Sequence, residues 1–344
     1  MAALRLELSE PLRRRLRATS RSFYLTLRVL PAAVRPQIGL AYLLARTADT
    51  IADTEIVPLE KRLAALRQWR ERLLGQNSAP LDFGELAQQQ GVSPEKQLLE
   101  NAEAALAALK NFSDADQQLI RDVLQIILSG QELDLQRFSS ATAGTITALE
   151  TETELDDYTY RVAGCVGEFW TRLCRAHLFP RAKLDDAQFL ADGIRFGKGL
   201  QLVNILRDLP ADLARGRCYL PRQKLTAVGL TPADLLHPAN ANKLRPLYQA
   251  CLDTAESHLR AGWNYTNTIP LAQFRVRLAC AWPILIGART IEKLRGENIL
   301  DSRRRVKISR GEVRWILLRS FLLCPFPGAW RRQWPIRLPA RQKG

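Results

Sequence analysis

Two pairs of aspartates, each spaced four residues apart, are the residues most able to do chemistry. Asp49 and Asp53 lie in ARTADTIADTE, and Asp208 and Asp212 lie in QLVNILRDLPADLARGRCYLP. Residues four apart share one face of a helix, where two carboxylates repel each other by roughly 0.3 kcal/mol. Carboxylates are also the hard oxygen ligands that Mg²⁺ prefers, together with substrate phosphate and water. If the two pairs face each other, they form a metal site for a diphosphate.

Cationic and polar residues accompany both pairs. Arg46, Arg207 and Arg217 lie within a few positions of them and could hold phosphate oxygens through bidentate hydrogen bonds. Gln201 and Asn204 lie on the same helical stripe as the second pair. A single pair is more often a solvated helix face, but two pairs with neighbouring arginines favour a metal site.

The elements that carry these residues are predicted to be helices. The helical period predicts helices over residues 10–28, 38–53, 59–74, 96–109, 114–136, 187–208, 242–267 and 274–294, with a loop over 75–95 in which one short helical turn is allowed. Alternation of period two is absent over any useful length, and no internal repeat is present. The 344 residues, 47% of them hydrophobic, are therefore predicted to form one all-α domain. Pro210 lies inside the second pair and is expected to kink or fray its helix.

Cysteine and charge usage narrow the function classes. The six cysteines form no CxxC motif and only three histidines are present, so neither a disulfide framework nor a zinc site is expected. With no apolar signal sequence in MAALRLELSEPLRRRLR, we expect a reducing, cytoplasmic location.

The net charge is +15, and residues 301–344 contain twelve Lys or Arg against two acids. Such an end favours an anionic partner, and without a nucleic-acid motif we do not expect that partner to be nucleic acid.

Residues 313–324 are apolar apart from two arginines and a serine. Twelve residues make a helix of about 18 Å, too short for the ~30 Å hydrocarbon core of a bilayer. Tryptophans and arginines around this segment favour an interfacial location on an anionic membrane. The alternative is a terminal helix docked on the core and followed by a disordered basic tail.

Four motifs together resemble one family. SRSF (Ser20 to Phe23), YLLARTADTIAD, YTYRVAGCVG and QLVNILRDLPADLARGRCYLP occur in that order, and the chain resembles the squalene and phytoene synthases over roughly residues 16–311. The resemblance implies a catalytic domain over 1–311 and a basic tail over 312–344. It further implies an all-α isoprenoid-synthase helical bundle around a central cavity, where two farnesyl diphosphates bind with Mg²⁺. One ionises, and its allylic cation alkylates the other to give a cyclopropylcarbinyl diphosphate. In squalene synthases a second ionisation and reduction by NADPH follow.

The resemblance also implies roles for individual residues. It gives Asp49, Asp53, Asp208 and Asp212 as metal ligands, and as substrate-binding residues Ser20, Arg21, Tyr42, Arg46, Gln201, Asn204, Arg207 and Arg217. The aromatic rings of Phe23, Tyr42 and Tyr158 could stabilise carbocations, although ordinary core packing is the alternative for each. Arg161 occupies a position where many relatives have tyrosine, so Tyr158 and Tyr160 are both candidates for the catalytic tyrosine.

The subfamily signals are mixed. CAWP (Cys280 to Pro283) and KISRG (Lys307 to Gly311) resemble squalene synthases, which implies NADPH and gives Lys307 and Arg310 as contacts to its phosphates; the alternative is that both belong to the basic tail. QELDLQRF (Gln131 to Phe138) is closer to bacterial phytoene and squalene-precursor enzymes, and no Rossmann fingerprint is present. The leading hypothesis is a squalene synthase. Its rivals are a phytoene, dehydrosqualene or hydroxysqualene synthase and a non-catalytic assembly factor on the same fold. The oligomeric state is left open.

Overall fold

The computed structural model describes residues 8–20, 23–91, 93–301 and 306–334. Sixteen α-helices lie within these ranges: α1 Glu10–Thr19, α2 Phe23–Val29, α3 Arg35–Asp53, α4 Leu59–Leu73, α5 Gly84–Gln89, α6 Pro94–Glu100, α7 Ala102–Leu109, α8 Asp114–Arg137, α9 Glu152–Thr159, α10 Cys165–Leu178, α11 Asp186–Leu213, α12 Arg222–Ala227, α13 Ala241–Thr268, α14 Phe274–Gly296, α15 Arg310–Leu323 and α16 Pro327–Arg331. A π-helical turn, Tyr160–Gly164, joins α9 to α10, and 3₁₀ turns are Pro232–Leu236, Pro238–Asn240 and Leu271–Gln273. The prediction of an all-α fold is confirmed.

Helix boundaries follow local capping chemistry. The Ser113 side chain accepts a hydrogen bond from the amide of Asp116 at the start of α8, and Asp185 accepts one from Gln188 at the start of α11. Thr151 caps α9 in the same way, ahead of Glu152 and Glu154 in its first turn. Residues 75–95 contain the short helix α5, as the sequence allowed. The prediction of one helix over 96–109 was less accurate, because two helices meet there at Asn101.

The long helix α11 packs along α10 and α13, and two glycines allow its close approach to α10 and to the π-helical turn that precedes α10. A Cβ atom on Gly197 would lie 2.1 Å from the carbonyl oxygen of Ala163, and one on Gly167 would lie 2.0 Å from that of Gly193. Larger residues at these positions would push the helices apart. Gly197 belongs to the FGKGLQ sequence (Phe196 to Gln201), which is helical throughout.

The helix α11 does not fray at Pro210; it continues to Leu213. Proline lacks the amide hydrogen that would bond to the carbonyl of Leu206 one turn earlier. The hydroxyl of Tyr248, a residue that is 1% exposed on α13, donates to that carbonyl at 2.9 Å. A tertiary hydrogen bond thus replaces the missing backbone bond, and the second aspartate pair stays on one continuous helix.

One segment, Leu271–Gly296, is long and apolar enough to cross a membrane by length and composition alone. Its helix α14 contributes Val276, Ala281 and Ile284 to the core, each with an exposure of 0%. Burial of this kind is typical of the central helix of a globular domain.

The pairing of Tyr248 with Leu206 can be tested by a double-mutant cycle. Tyr248→Phe leaves the Leu206 carbonyl buried without its donor, so we expect a loss of about 1–2 kcal/mol in the free energy of unfolding. In a Pro210→Ala background the new backbone amide can serve the same carbonyl, and the Tyr248→Phe loss should shrink by at least half. Denaturant unfolding of the four proteins measures the coupling. An equal loss in both backgrounds would show that the hydroxyl does not compensate for the proline.

Candidate active site

The first aspartate pair lies on the last two turns of α3. The amide of Gln131, on α8, donates a hydrogen bond to Asp49 Oδ1, and Arg46 lies 3.8 Å from the same carboxylate. The Asp49 side chain is 44% exposed to solvent, and the protein around it still desolvates the carboxylate. Desolvation and then the charge of Asp53 raise the pKa of Asp49 to about 6. Desolvation also raises the pKa of Asp53, which lies at the more exposed end of the pair.

The second pair lies near the end of α11. Arg207 Nε donates to Asp208 Oδ1 at 3.0 Å, which neutralises one member of this pair. Desolvation and the charge of Asp208 raise the pKa of Asp212 to about 7. The second pair therefore contains one carboxylate with a cation in contact and one that is poorly compensated.

Arg217 links the two pairs. It follows Gly216, whose φ of 77° and lack of a side chain are both needed, because a Cβ atom there would lie 2.3 Å from the carbonyl oxygen of Thr142. The strand β2, Arg217–Cys218, pairs in parallel with β1, Thr147–Ala148. This two-residue pairing fixes the direction of the arginine.

The guanidinium of Arg217 lies 3.5 Å from Asp134 and 3.3 Å from Glu55. Its charge lowers the pKa of both Asp53 and Asp212, against the larger effect of desolvation. Arg217 therefore lies near one member of each pair. That the four aspartates face one common site stays a prediction.

Asp134, on α8, was not among the predicted site residues. It accepts hydrogen bonds from Tyr219 at 3.1 Å and from Arg217, and burial raises its pKa to about 6. Asp134 and Gln131 are three residues apart in QELDLQRF, so one face of α8 reaches both aspartate pairs. That spacing was the available signal, and it was used only to compare subfamilies.

The structure separates the two candidate tyrosines. Tyr158 stacks on Tyr219 with ring centroids 4.7 Å apart and hydrogen-bonds with Gln201, so it belongs to the carboxylate site. Burial raises its pKa, which keeps the hydroxyl protonated at neutral pH. Tyr160 instead donates to Glu168 at 3.1 Å and lies under Lys198, with 5.7 Å between the ammonium and the ring centroid.

Arg161, the residue that replaces the family's tyrosine, forms an ion pair with Asp157 at 2.8 Å and donates to Ser129 at 2.8 Å. These contacts tie the π-helical turn to α8 and α9. Arg161 therefore holds the π-helical turn, which begins at Tyr160, against the helix that carries Tyr158.

The N-terminal candidates form a smaller aromatic group. Phe23 stacks on Tyr42 with ring centroids 5.0 Å apart, and the Tyr42 hydroxyl donates to the carbonyl of Thr19 at 3.0 Å. Ser20 is buried, and its hydroxyl donates to the carbonyl of Leu16. Arg21 lies outside the described residues. The substrate and catalytic roles of this group stay predictions.

Three other candidates have few contacts. Asn204 is exposed, and its amide lies 3.5 Å from the side-chain oxygen of Gln201. Lys307 and Arg310 are also exposed; within the described ranges neither side chain forms a hydrogen bond or ion pair. Nothing in those ranges connects Lys307 or Arg310 to the aspartate pairs.

A groove of about 630 Å³ between α13, α14 and α15 contains none of the predicted site residues. Its walls include Asp253, Arg289, Arg295, Trp315 and Arg319. The volume of this groove is no guide to the chemistry, because the carboxylates and aromatic rings described above lie elsewhere.

Known proteins resemble this chain in sequence and in fold. The family model for squalene/phytoene synthase matches residues 16–312. The chain belongs to the squalene/phytoene synthase family. A presqualene diphosphate synthase of Sinorhizobium fredii is 32% identical over 70% of this chain and 71% of its own length, and one of Rhodopseudomonas palustris is 30% identical over 74% and 77%. The structure of TcSQS with the ligand E5700 superposes with a TM-score of 0.74 at 22% identity, covering 96% of this chain and 94% of that one, and so supports the fold.

The donor atoms of this synthase suit Mg²⁺. Within the described part of the chain, no three His, Cys, Asp or Glu residues are close enough to hold a metal ion by themselves. Mg²⁺ usually binds through one or two carboxylates and completes its shell with phosphate oxygens and water. Desolvation and then a neighbouring aspartate raise the pKa of both Asp49 and Asp212, and the nearby arginines do not offset this. The carboxylates of the two pairs are thus a suitable donor set for ions that arrive with a diphosphate.

The uncompensated charge predicts a pH-dependent stability change in metal-free protein. A carboxyl whose pKa is raised by folding binds its proton more tightly in the folded state, so its contribution to stability falls as pH rises from about 4 to 7. Asp212→Asn should match wild type near pH 4.5. At pH 8, with EDTA present, it should be more stable by about 1 kcal/mol, a value reduced for solvent screening. Asp122→Asn is the matched control, because Asp122 is exposed on α8 and accepts from the neutral Gln118 side chain. A gain that is independent of pH, or equal in the control, would contradict the electrostatic origin.

Proposed function

We propose that the protein joins two farnesyl diphosphates head to head in a Mg²⁺-dependent reaction, through presqualene diphosphate, and reduces that intermediate to squalene with NADPH. The observation that supports this most is the arrangement of two aspartate pairs, on α3 and α11, around Arg217. The presqualene diphosphate synthases that are about 30% identical favour the same first step.

The acidic residues of the site would bind metal ions, and its basic residues would bind diphosphate. Bound Mg²⁺ would neutralise the diphosphate and help it to leave. Asp49, Asp53, Asp208 and Asp212 would supply the oxygen donors. Arg46 and Arg217 would hold diphosphate oxygens from the side of the first pair, and Arg207 from the side of the second.

The aromatic residues of the site suit a cationic intermediate. Tyr158 lies beside the carboxylates, and the adjacent ring of Tyr219 extends the same surface. A neutral ring stabilises a carbocation through its π face without offering a nucleophilic phenolate. Phe23 and Tyr42 would serve in the same way at the α2–α3 end, and Gln201 would hold the Tyr158 hydroxyl in place.

A synthase that stops at presqualene diphosphate is the second candidate. The two most similar relatives named above favour it, and so does the position of Lys307 and Arg310, which make no side-chain contact to the site in the described residues. A squalene synthase that binds NADPH through these two residues forms squalene only when NADPH is added. Dehydrosqualene, hydroxysqualene or phytoene would point to the other enzymes of the family.

A non-catalytic assembly factor is disfavoured by the electrostatics. Such a protein would gain stability by losing Asp49 or Asp212, since burial and like charge raise the pKa of each. The retention of all four carboxylates is better explained by binding of cations. We also expect a cytoplasmic enzyme, because all six cysteines are free.

The test is product analysis with purified protein. Wild type, farnesyl diphosphate and Mg²⁺ should give presqualene diphosphate, and added NADPH should convert it to squalene. Asp49→Asn should lower the initial rate at least ~100-fold, because a lost metal ligand weakens stabilisation of the departing diphosphate by about 3 kcal/mol.

Asp122→Asn serves as the control here too and should keep the wild-type rate. Near-normal turnover by Asp49→Asn would remove the metal-site proposal. Formation of presqualene diphosphate alone, with and without NADPH, would replace the squalene synthase by the second candidate. No product at all from a folded wild type would favour the assembly factor.

A further inference from the structure

The helix α15 exposes one continuous apolar face. Trp315 is 60% exposed, Leu318 53%, Phe321 59% and Leu322 57%, and Phe326, just beyond the helix, is 62% exposed. Positions 315, 318 and 322 follow the three- and four-residue steps of one helical stripe. Five large apolar side chains together are more than the single exposed residues that any soluble protein carries.

The opposite face of α15 is fixed to the core. Ser309 and Glu312 form a capping box at its start, and Glu312 also binds Arg289 at 3.0 Å and Lys293 at 2.6 Å on α14. Ser320 is fully buried and donates to Gln333. These contacts orient the helix, so its apolar face cannot turn inward.

The segment after α15 secures the helix a second time. Trp330, on α16, is fully buried; its ring lies 5.5 Å from that of Trp263 and 5.3 Å from the guanidinium carbon of Arg277. Residues 310–334 are therefore an integrated part of the fold. This outcome combines the docked helix and the exposed apolar surface, which the sequence had presented as alternatives.

Arginines border the apolar face. Around the helix axis Arg314 falls between Leu318 and Phe321, at the N-terminal end of the face, and Arg319 falls about 40° beyond Trp315, at its edge. Arg331, the last residue of α16, and Arg332, which follows it, add two more cations, and within the described ranges none of these four arginines forms an ion pair with an acidic side chain. An apolar surface with unpaired cations at its end and edge is complementary to a surface that is apolar inside and anionic outside.

We propose that the face formed by Trp315, Leu318, Phe321, Leu322 and Phe326 inserts into the headgroup region of an anionic bilayer. With 14 residues, α15 is about 21 Å long and cannot span the ~30 Å hydrocarbon core, so it lies in the plane of the membrane. The arginines at its end and edge contact lipid phosphates. A second copy of the chain is the less favourable occupant, because a symmetric contact would bring the same arginines together.

Sedimentation with lipid vesicles tests this surface in the full chain. Wild type should bind vesicles of phosphatidylcholine with 30% phosphatidylglycerol (~30 mol%, enough to give a strongly negative surface). Phe321→Ser/Leu322→Ser should weaken that binding at least tenfold. Arg314→Gln/Arg331→Gln should weaken it most at low salt, because screening removes the charge effect at high salt. Leu271→Ser is the matched control, since Leu271 is 57% exposed in the 3₁₀ turn before α14, and it should bind as wild type does.

Each other outcome overturns the proposal. Equal binding by the Phe321/Leu322 variant would place membrane contact elsewhere. Equal binding of wild type to pure phosphatidylcholine would remove the role of anionic lipid. No vesicle binding, together with a dimer that the Phe321/Leu322 variant abolishes in light scattering, would make the face a contact between two copies. Unchanged melting temperatures of all variants establish that they are folded.

Discussion

Burial of four neighbouring carboxyls, Asp49, Asp53, Asp134 and Asp212, is the constraint on which the rest of the structure depends. Each of these carboxyls has a pKa raised above its usual range, with desolvation as the largest cause. Arg217 is the cation that acts on three of them, and it is not sufficient to restore ordinary values. The folded protein therefore carries an electrostatic cost at the site, and divalent cations with a diphosphate are the partners that would relieve it.

Close helix packing holds this unfavourable arrangement in place. The aspartates are on three helices, α3, α8 and α11, whose other faces are in the core. Gly167 and Gly197 let α11 approach α10 closely, and the Tyr248 hydroxyl keeps α11 continuous through Pro210. The short pairing of β1 with β2 aims Arg217 between the pairs. None of these features touches a substrate, yet each determines where a carboxylate or a cation lies.

The sequence was sufficient for the all-α fold and the family, because helical spacing and ordered motifs are local properties. The role of the four aspartates as metal ligands stays a prediction. The sequence was insufficient where a distant residue decides the outcome. The expectation that α11 frays at Pro210 was wrong, since the carbonyl that the proline leaves free accepts a hydrogen bond from Tyr248, 38 positions away from Pro210 in the printed chain. Asp134 was missed because its importance comes from Arg217 and Tyr219, which only tertiary structure brings to it. The sequence could not distinguish Tyr158 from Tyr160, because the difference lies in their tertiary neighbours. Tyr158 contacts Tyr219, whereas Tyr160 contacts Glu168.

The most direct test of a shared cation and diphosphate site is thermal unfolding of metal-free protein titrated with Mg²⁺ and inorganic diphosphate. Ligands at 100 times their dissociation constant add about 2.7 kcal/mol of stability, which corresponds to a melting temperature about 5 °C higher at ~2 °C per kcal/mol. We expect that rise in wild type only when both ligands are present, and we expect it to be largely lost in Asp49→Asn and in Asp212→Asn alike. An undiminished rise in either variant, or none in wild type, would contradict a single site built from both aspartate pairs.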